Sequence, residues 1–240
     1  ADPSADVEGL DTRAKIHILQ RISYGAQVYA NEIVCEGITN IEPIDFVYAS
    51  QMHRKIKLIG STFSNADGIR AWVMPSVVSI LNPIANTDDV KNIVLVNHET
   101  MGPIALSGNG AGGETTAHSV LSDLHHALHV NQDSQQWFGR ASYANKGLLA
   151  PIVLPFYVRL NVRDKVGIIA DVGKICEDLQ ISIDAILQNP LPKNFDYIND
   201  ELQFVLVTNM CSYDTIQQLK TIIIVRDWCL RDPFIMAVVD

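Results

Sequence analysis

The chain has 240 residues, 48% of them hydrophobic, and a net charge of −9, enough apolar content to bury a core in one or two domains. With no clustered run of Lys or Arg, that charge argues against nucleic acid and anionic membrane surfaces and favours a small-molecule partner. Cys35, Cys176, Cys211 and Cys229 are far apart, with no C-x-x-C and no His at zinc-finger spacing, so neither a disulfide framework nor a structural zinc is indicated and reduced, cytoplasmic thiols are expected. The longest apolar runs are strand-sized, and no charged-then-apolar signal peptide opens the chain. The first predicted element is a helix from Asp11 to about Ala30. At 3.6-residue periodicity, positions 11, 15, 18, 22, 26 and 29 share one face and read Asp, Lys, Ile, Ile, Ala, Tyr. Arg13, Gln20 and Gln27 lie half a turn away, so the stripe phase turns Asp11 and Lys15 toward the core or a cleft. The i,i+4 spacing puts their Cβ atoms about 6 Å apart, close enough for the carboxylate to orient the ammonium. An ordinary exposed ion pair is the alternative reading.

A short helix follows from about Pro43 to Met52. Strands are expected over Lys55 to Thr62, Ile69 to Val78, Ile93 to Asn97 and Ile104 to Leu106, separated by Gly, Pro and Asn. This order of helix and then strands predicts α+β with a mainly antiparallel sheet. The glycine run Gly108-Asn109-Gly110-Ala111-Gly112-Gly113 opens a helix whose apolar stripe is Ala117, Val120, Leu121, Leu124 and Leu128. Backbone N–H groups at such a helix start suit a phosphate or another polar cofactor group, and a merely flexible turn is the other reading. His125 and His129 on that helix have metal-site spacing, but no intervening Glu or third ligand accompanies them, and no metal is assigned.

A polar stretch, Asn131 to Gln136, and a loop-like run through Lys146-Gly147 and Pro151 separate residues 1–130 from a module over 156–240, with 131–155 as the linker. In the module, Tyr157 to Val162 alternates as a strand, and Gly167 to Leu179 is a helix with Ile168, Ile169, Val172, Ile175, Cys176 and Leu179 inward. Ile181 to Leu187 and Leu202 to Thr208 read as strands, Tyr213 to about Val225 as a second helix, and Phe234 to Val239 as a last strand. Gln188 to Asn194 reads as a stiff hairpin loop. The order βαββαβ predicts a ferredoxin-like sheet with both helices on one face. The turn at Asp164 to Gly167 precedes a helix, and its N–H groups could receive a carboxylate while Asp164 takes an ammonium; Asp164 could equally cap the helix.

The opening of the chain resembles the signature of homoserine dehydrogenases. That signature is an Asp-Pro, a spacer, Asp-aliphatic-any-Gly-any-Asp, three residues and Lys, matched here by Asp2, Pro3, Asp6, Val7, Gly9, Asp11 and Lys15. The resemblance implies that Lys15 is the proton donor or acceptor in hydride transfer between a nicotinamide cofactor, NAD or NADP, and L-aspartate 4-semialdehyde or L-homoserine. Asp11 would orient Lys15 and the substrate, and Asp6 would line the same pocket. Residues 38–60 and 70–85 look like the family's substrate and dimerisation domain, which predicts a homodimer or homotetramer. The family's glycine turn implies cofactor contacts at Gly108, Gly110 and Gly112, although this chain has Thr115 and His118 where the family carries other residues. Residues 162–170 and 181–188 look like the conserved segments of an ACT domain, which implies an effector amino acid, commonly threonine, near Asp164 and Gly167. The family's upstream substrate-binding Glu and nucleotide-binding domain precede anything in this sequence, and no G-x-G-x-x-G opens a strand-to-helix unit. The expectation is therefore a C-terminal part, silent alone. The alternatives are an amino-acid-sensing and oligomerisation unit without catalysis and, more weakly, a His-metal hydrolase.

Overall fold

The structure is a computed structural model that describes residues 2–25, 28–129, 150–188 and 201–240. The Asn131 to Gln136 stretch, Lys146-Gly147, position 26 of the first helix and all but the first residue of the Gln188 to Asn194 loop lie outside those residues.

In chain order the elements are α1 (Ser4–Val7), α2 (Leu10–Tyr24), β1 (Val34–Cys35), α3 (Pro43–Gln51), β2 (Arg54–Asn65), β3 (Gly68–Ser79), β4 (Lys91–His98), β5 (Gly102–Asn109) and α4 (Gly113–His129). After the break come β6 (Val153–Leu154), β7 (Phe156–Arg163), α5 (Ile168–Asp178), β8 (Ile183–Leu187), β9 (Glu201–Thr208), β10 (Cys211–Ser212), α6 (Tyr213–Ile224) and β11 (Phe234–Val239). Helix α3 starts where Pro43 can occupy the first turn without losing a needed N–H, and the Asp45 carboxylate accepts from the Glu42 N–H to close that end. Helix α2 is shorter than expected. Gly25 adopts φ +62° and its N–H caps the Arg21 carbonyl, which ends the helix at Tyr24.

One seven-stranded sheet joins the two regions. Strand β3 pairs along one edge with β2; its other edge takes β1 at Trp72 and Val73 and then β11 at Ser76 to Val78. From β11 the sheet continues through β7 and β9 to β8, all antiparallel, whereas β1 and β11 run parallel to β3. Residues 150–155 belong to this body: Ala150 and Ile152 are buried, the Ala150 N–H bonds to the Ile69 carbonyl, and β6 pairs with β10.

Alternation sends each strand's side chains into two different cores. Trp72, Met74, Phe156, Val158, Leu160, Phe204, Leu206 and Ile235 pack under α5 and α6, against Val172, Ile175, Ile216 and Leu219. On the opposite face, Val77, Tyr157, Val205, Val207, Phe234 and Met236 pack under α3, against Ile44 and Tyr48. Further along that face, Ile69, Ala71 and Val73 meet Ile16 of α2. Because both faces are covered, β3, β7, β9 and β11 read as nearly continuous buried runs. The face of Tyr157, Arg159 and Asn161, polar by sequence, is therefore buried too.

The expected phase of α2 is reversed. Its buried side is Ile16 and Gln20, while Asp11 and Lys15 have side chains 45% and 57% exposed and Ile18 and Ile22 face outward. Two contacts decide this orientation. Gly60 of β2 lets the helix approach so closely that a Cβ there would sit 2.5 Å from Ile16 Cγ1 and 2.8 Å from Thr12 Cγ2. The Gln20 amide nitrogen donates to the Val28 carbonyl at 3.1 Å, which gives that buried donor a partner inside the core. In α5, Ile169 is likewise exposed rather than inward.

The β4–β5 hairpin and α4 form an arm whose side chains are almost all exposed, including Val120, Leu121, Leu124 and Leu128. His125 and His129 stack with ring centroids 4.2 Å apart, and His129 Nδ1 lies 2.8 Å from the His125 carbonyl. Among the described residues no group of three or more His, Cys, Asp or Glu could hold a metal ion. No described helix is long and apolar enough to cross a membrane.

Candidate active site

Helices α1 and α2 are joined through Gly9, which has φ +77° and is buried; a Cβ there would meet Val73 Cγ1 at 3.1 Å and Cys35 Sγ at 3.4 Å. A residue with a side chain would be strained in backbone and crowded by β3 and β1. This bend starts α2, whose first turn carries Asp11 and whose second carries Lys15. Lys15 Nζ lies 2.6 Å from Asp11 Oδ2, so the predicted pair is formed. The carboxylate fixes where the ammonium points, and both remain reachable from outside because the helix turns this face away from the sheet. Asp6, on α1, is exposed.

The glycine turn lies where β5 runs into α4. Gly112 has φ +128°, so its freedom is needed for the turn itself. A Cβ at Gly110 would fall 2.0 Å from Asn92 Nδ2, and the Gly110 N–H is already bonded to the Val90 carbonyl, so this glycine serves the hairpin. Among the described residues no atom lies within 4 Å of a Cβ position on Gly108, which has no positive φ, so nothing among them requires glycine there. At the start of α4 the first N–H groups have no intrahelical partner and the dipole favours an anion, which fits a phosphate-bearing cofactor.

Asp164 and Gly167 are both exposed in the turn between β7 and α5. Gly167, at φ +98°, is the residue that begins α5, and no side chain caps that helix, which removes the reading of Asp164 as its cap.

Sequence reasoning missed two polar clusters, one buried and one half-buried. In the first, Arg159 on β7 forms ion pairs with Glu42 and with Asp45 Oδ1 (3.3 Å), donates to the Asn40 carbonyl at 3.0 Å and lies over the Phe234 ring. Tyr157 donates to Asp45 Oδ1 at 2.7 Å. Burial pushes the Asp45 carboxyl above its usual range although Arg159 and these hydrogen bonds pull it down; burial and Asp45 push the Tyr157 phenol far up. In the second, the Glu36 carboxylate accepts from the Tyr213 hydroxyl and from the Gln217 amide nitrogen. The available signal for Arg159 was a charged residue inside an otherwise strand-like apolar run, but alternation alone reads it as facing water. A cleft of about 630 Å³ adjoins both clusters, bordered by Glu36, Glu42, Arg159, Gln217, Lys220 and Arg231. A second, of about 580 Å³, lies beside β2 at Phe46, His53, Lys55 and Lys57. Asp11 and Lys15 border neither.

Known proteins share this fold. A solved homoserine dehydrogenase from Thiobacillus denitrificans superposes with a TM-score of 0.86 at 28% identity, over 99% of this chain and 55% of that one. The homoserine dehydrogenase of Corynebacterium glutamicum is 32% identical across 87% of this chain and 47% of its own length. That of Mycobacterium leprae is 35% identical across 78% and 44%. The chain thus spans about half the length of the curated relatives it matches. These relatives are dehydrogenases, a class of oxidoreductase. The pattern of the homoserine dehydrogenase family matches residues 1–125, and the chain belongs to that family.

Proposed function

We propose that this chain is the substrate-side and regulatory part of an enzyme that interconverts L-homoserine and L-aspartate 4-semialdehyde. The observation that carries the reading is the 2.6 Å pair of Lys15 and Asp11 on the open face of α2, at the positions where the family signature has its acid–base lysine and the preceding aspartate. A nicotinamide dinucleotide, NAD or NADP, supplies or accepts the hydride when bound. Lys15 Nζ holds the proton for the substrate oxygen and stabilises negative charge developing there, a contribution typically of about 10²- to 10⁴-fold. Asp11 keeps the ammonium aimed, and Asp6 contributes to substrate binding. The exposed Asp–Lys face favours a site closed by protein outside this sequence, so the chain alone is silent.

Gly108, Gly110 and Gly112 are assigned to the cofactor side. Support comes from the open start of α4 and from Gly108, which no contact among the described residues explains. Residues 1–130 form the catalytic and dimerisation portion and 156–240 an ACT module, joined by 131–155, of which 150–155 pack into the sheet body. The strand order β11-β7-β9-β8, with α5 and α6 on one face, supports the last assignment. The free turn at Asp164 and Gly167 is the place for an effector such as threonine, and a cytoplasmic homodimer or homotetramer is the expected assembly. The test joins the chain to a nucleotide-binding portion and measures homoserine-dependent formation of reduced nicotinamide. Turnover that Lys15→Ala abolishes is expected; turnover unaffected by that change would overturn the assignment.

A further inference from the structure

Glu36 stands where the two halves of the molecule meet. Its N–H bonds to the Val73 carbonyl at 2.8 Å, which seats it at the end of β1. The backbone on either side lies directly along residues 7–9. The Cys35 thiol donates to the Glu8 carbonyl at 3.4 Å and the Ile38 N–H to the Val7 carbonyl at 2.8 Å. Between them, a Cβ on Gly37 would fall 2.4 Å from Val7 O and 2.7 Å from Glu8 Cα, so only glycine allows the two backbones to touch. Residues 7–9 lead straight into the first turn of α2 and therefore into Asp11 and Lys15.

The Glu36 side chain reaches the other way. Its Oε1 accepts from the hydroxyl of Tyr213 and from the amide nitrogen of Gln217 at 3.4 Å, which lie one turn apart on α6. Tyr213 is itself fixed: its N–H bonds to the Ile152 carbonyl at 2.8 Å and its ring packs on Phe156. Helix α6 thus grips the backbone segment that sets the start of α2. The cleft of about 630 Å³ borders Glu36, Gly37, Gln217 and Lys220, so a carboxylate released by α6 has room and a cation to turn to.

We infer that Glu36 is a positioning residue that ties residues 7–9, and with them the Asp11–Lys15 pair, to Tyr213 and Gln217 of α6. A shift of α6 is thereby delivered to Lys15 through one hydrogen-bonded carboxylate and one glycine contact. The consequence for catalysis rests on the proposed role of Lys15; the mechanical tie does not.

Two measurements keep those apart. In the full chain, amide hydrogen exchange is followed at Ile38, bonded to Val7, and at Arg13, whose N–H bonds to the Gly9 carbonyl. Tyr213→Phe and Glu36→Ala each speed exchange at these amides about tenfold, the order expected for a lost hydrogen bond to a charged group, and leave the β7–β9 amides unchanged. Glu36→Gln, whose amide oxygen still accepts from Tyr213, has a smaller effect. In the enzyme joined to its nucleotide-binding portion, each single change lowers kcat for homoserine oxidation several-fold with little change in the KM for the nicotinamide. The double variant is no worse than either single one, because both break the same link. Unchanged exchange at Ile38 and Arg13, or acceleration spread equally over β7–β9, overturns the inference, as does a double variant whose losses multiply. Altered exchange together with a parent enzyme that oxidises no homoserine supports the tie and refutes the assigned function.

Discussion

The hydroxyl of Tyr157, on β7, donates to Oδ1 of Asp45, on α3, at 2.7 Å across the boundary between the two regions of the chain, and Asp45 is completely buried there. The same carboxylate receives the Glu42 N–H and faces Arg159, so helix start, strand and cation are tied at one point. Tyr157→Phe removes one donor from a buried charge and should cost about 1–3 kcal/mol of stability. The urea midpoint would fall at an unchanged denaturant slope. A midpoint equal to the parent's would show that Asp45 is held without the phenol.

High pH tests two phenols, Tyr157 buried and Tyr213 half-buried. Tyr157 and Tyr213 both ionise well above the ordinary tyrosine value near 10, Tyr157 because of burial and Asp45, Tyr213 because of burial and Glu36. The folded state therefore keeps protons that the unfolded chain releases. Their contribution is present in full below about pH 10 and is lost as pH climbs past it, at about 1.4 kcal/mol per pH unit for each phenol. Stability measured from pH 9 to 11 should fall, and Tyr157→Phe should make the fall shallower.

Lys15→Ala separates catalysis from folding. The ion pair with Asp11 is largely exposed, so its loss should change stability by no more than about 0.5 kcal/mol. Turnover in the joined enzyme should drop by about 10²- to 10⁴-fold. A thermal melt and a steady-state assay on the same preparation check both statements.

Two glycines should respond oppositely. Gly60→Ala places a methyl group 2.5 Å from Ile16 Cγ1, forces α2 off β2 and should cost about 1–3 kcal/mol. Gly108→Ala meets nothing among the described residues, so stability should stay within about 0.5 kcal/mol while the KM for the nicotinamide cofactor rises several-fold. A Gly108→Ala enzyme with an unchanged KM would remove the glycine turn from the cofactor site.

Much of this was readable from local chemistry. Pro43 marks the start of α3, and the run from Phe234 to Val239 is read as the strand it forms. The Asp11–Lys15 contact follows from one helical turn of spacing. The phase of α2 was not readable, because its apolar stripe at Ile18 and Ile22 faces outward and the buried Gln20 finds its acceptor at Val28, a partner no periodicity reveals. Arg159 escaped for a related reason. Alternation in β7 separates apolar from polar positions, but it cannot say that α3, more than a hundred residues earlier, covers the polar side. Glu36 gave no signal at all, since its partners lie on α6.

The seat of β11 also governs how the molecule assembles. Ala237 pairs with Ser76 on one side and with Phe156 on the other, so the innermost slot of the sheet is filled by residues near the end of this sequence. Contacts of such long range are slow to close. Until β11 is made, β3 and β7 keep facing edges of unpaired N–H and C=O groups, a stretch in which chaperone binding would guard against aggregation.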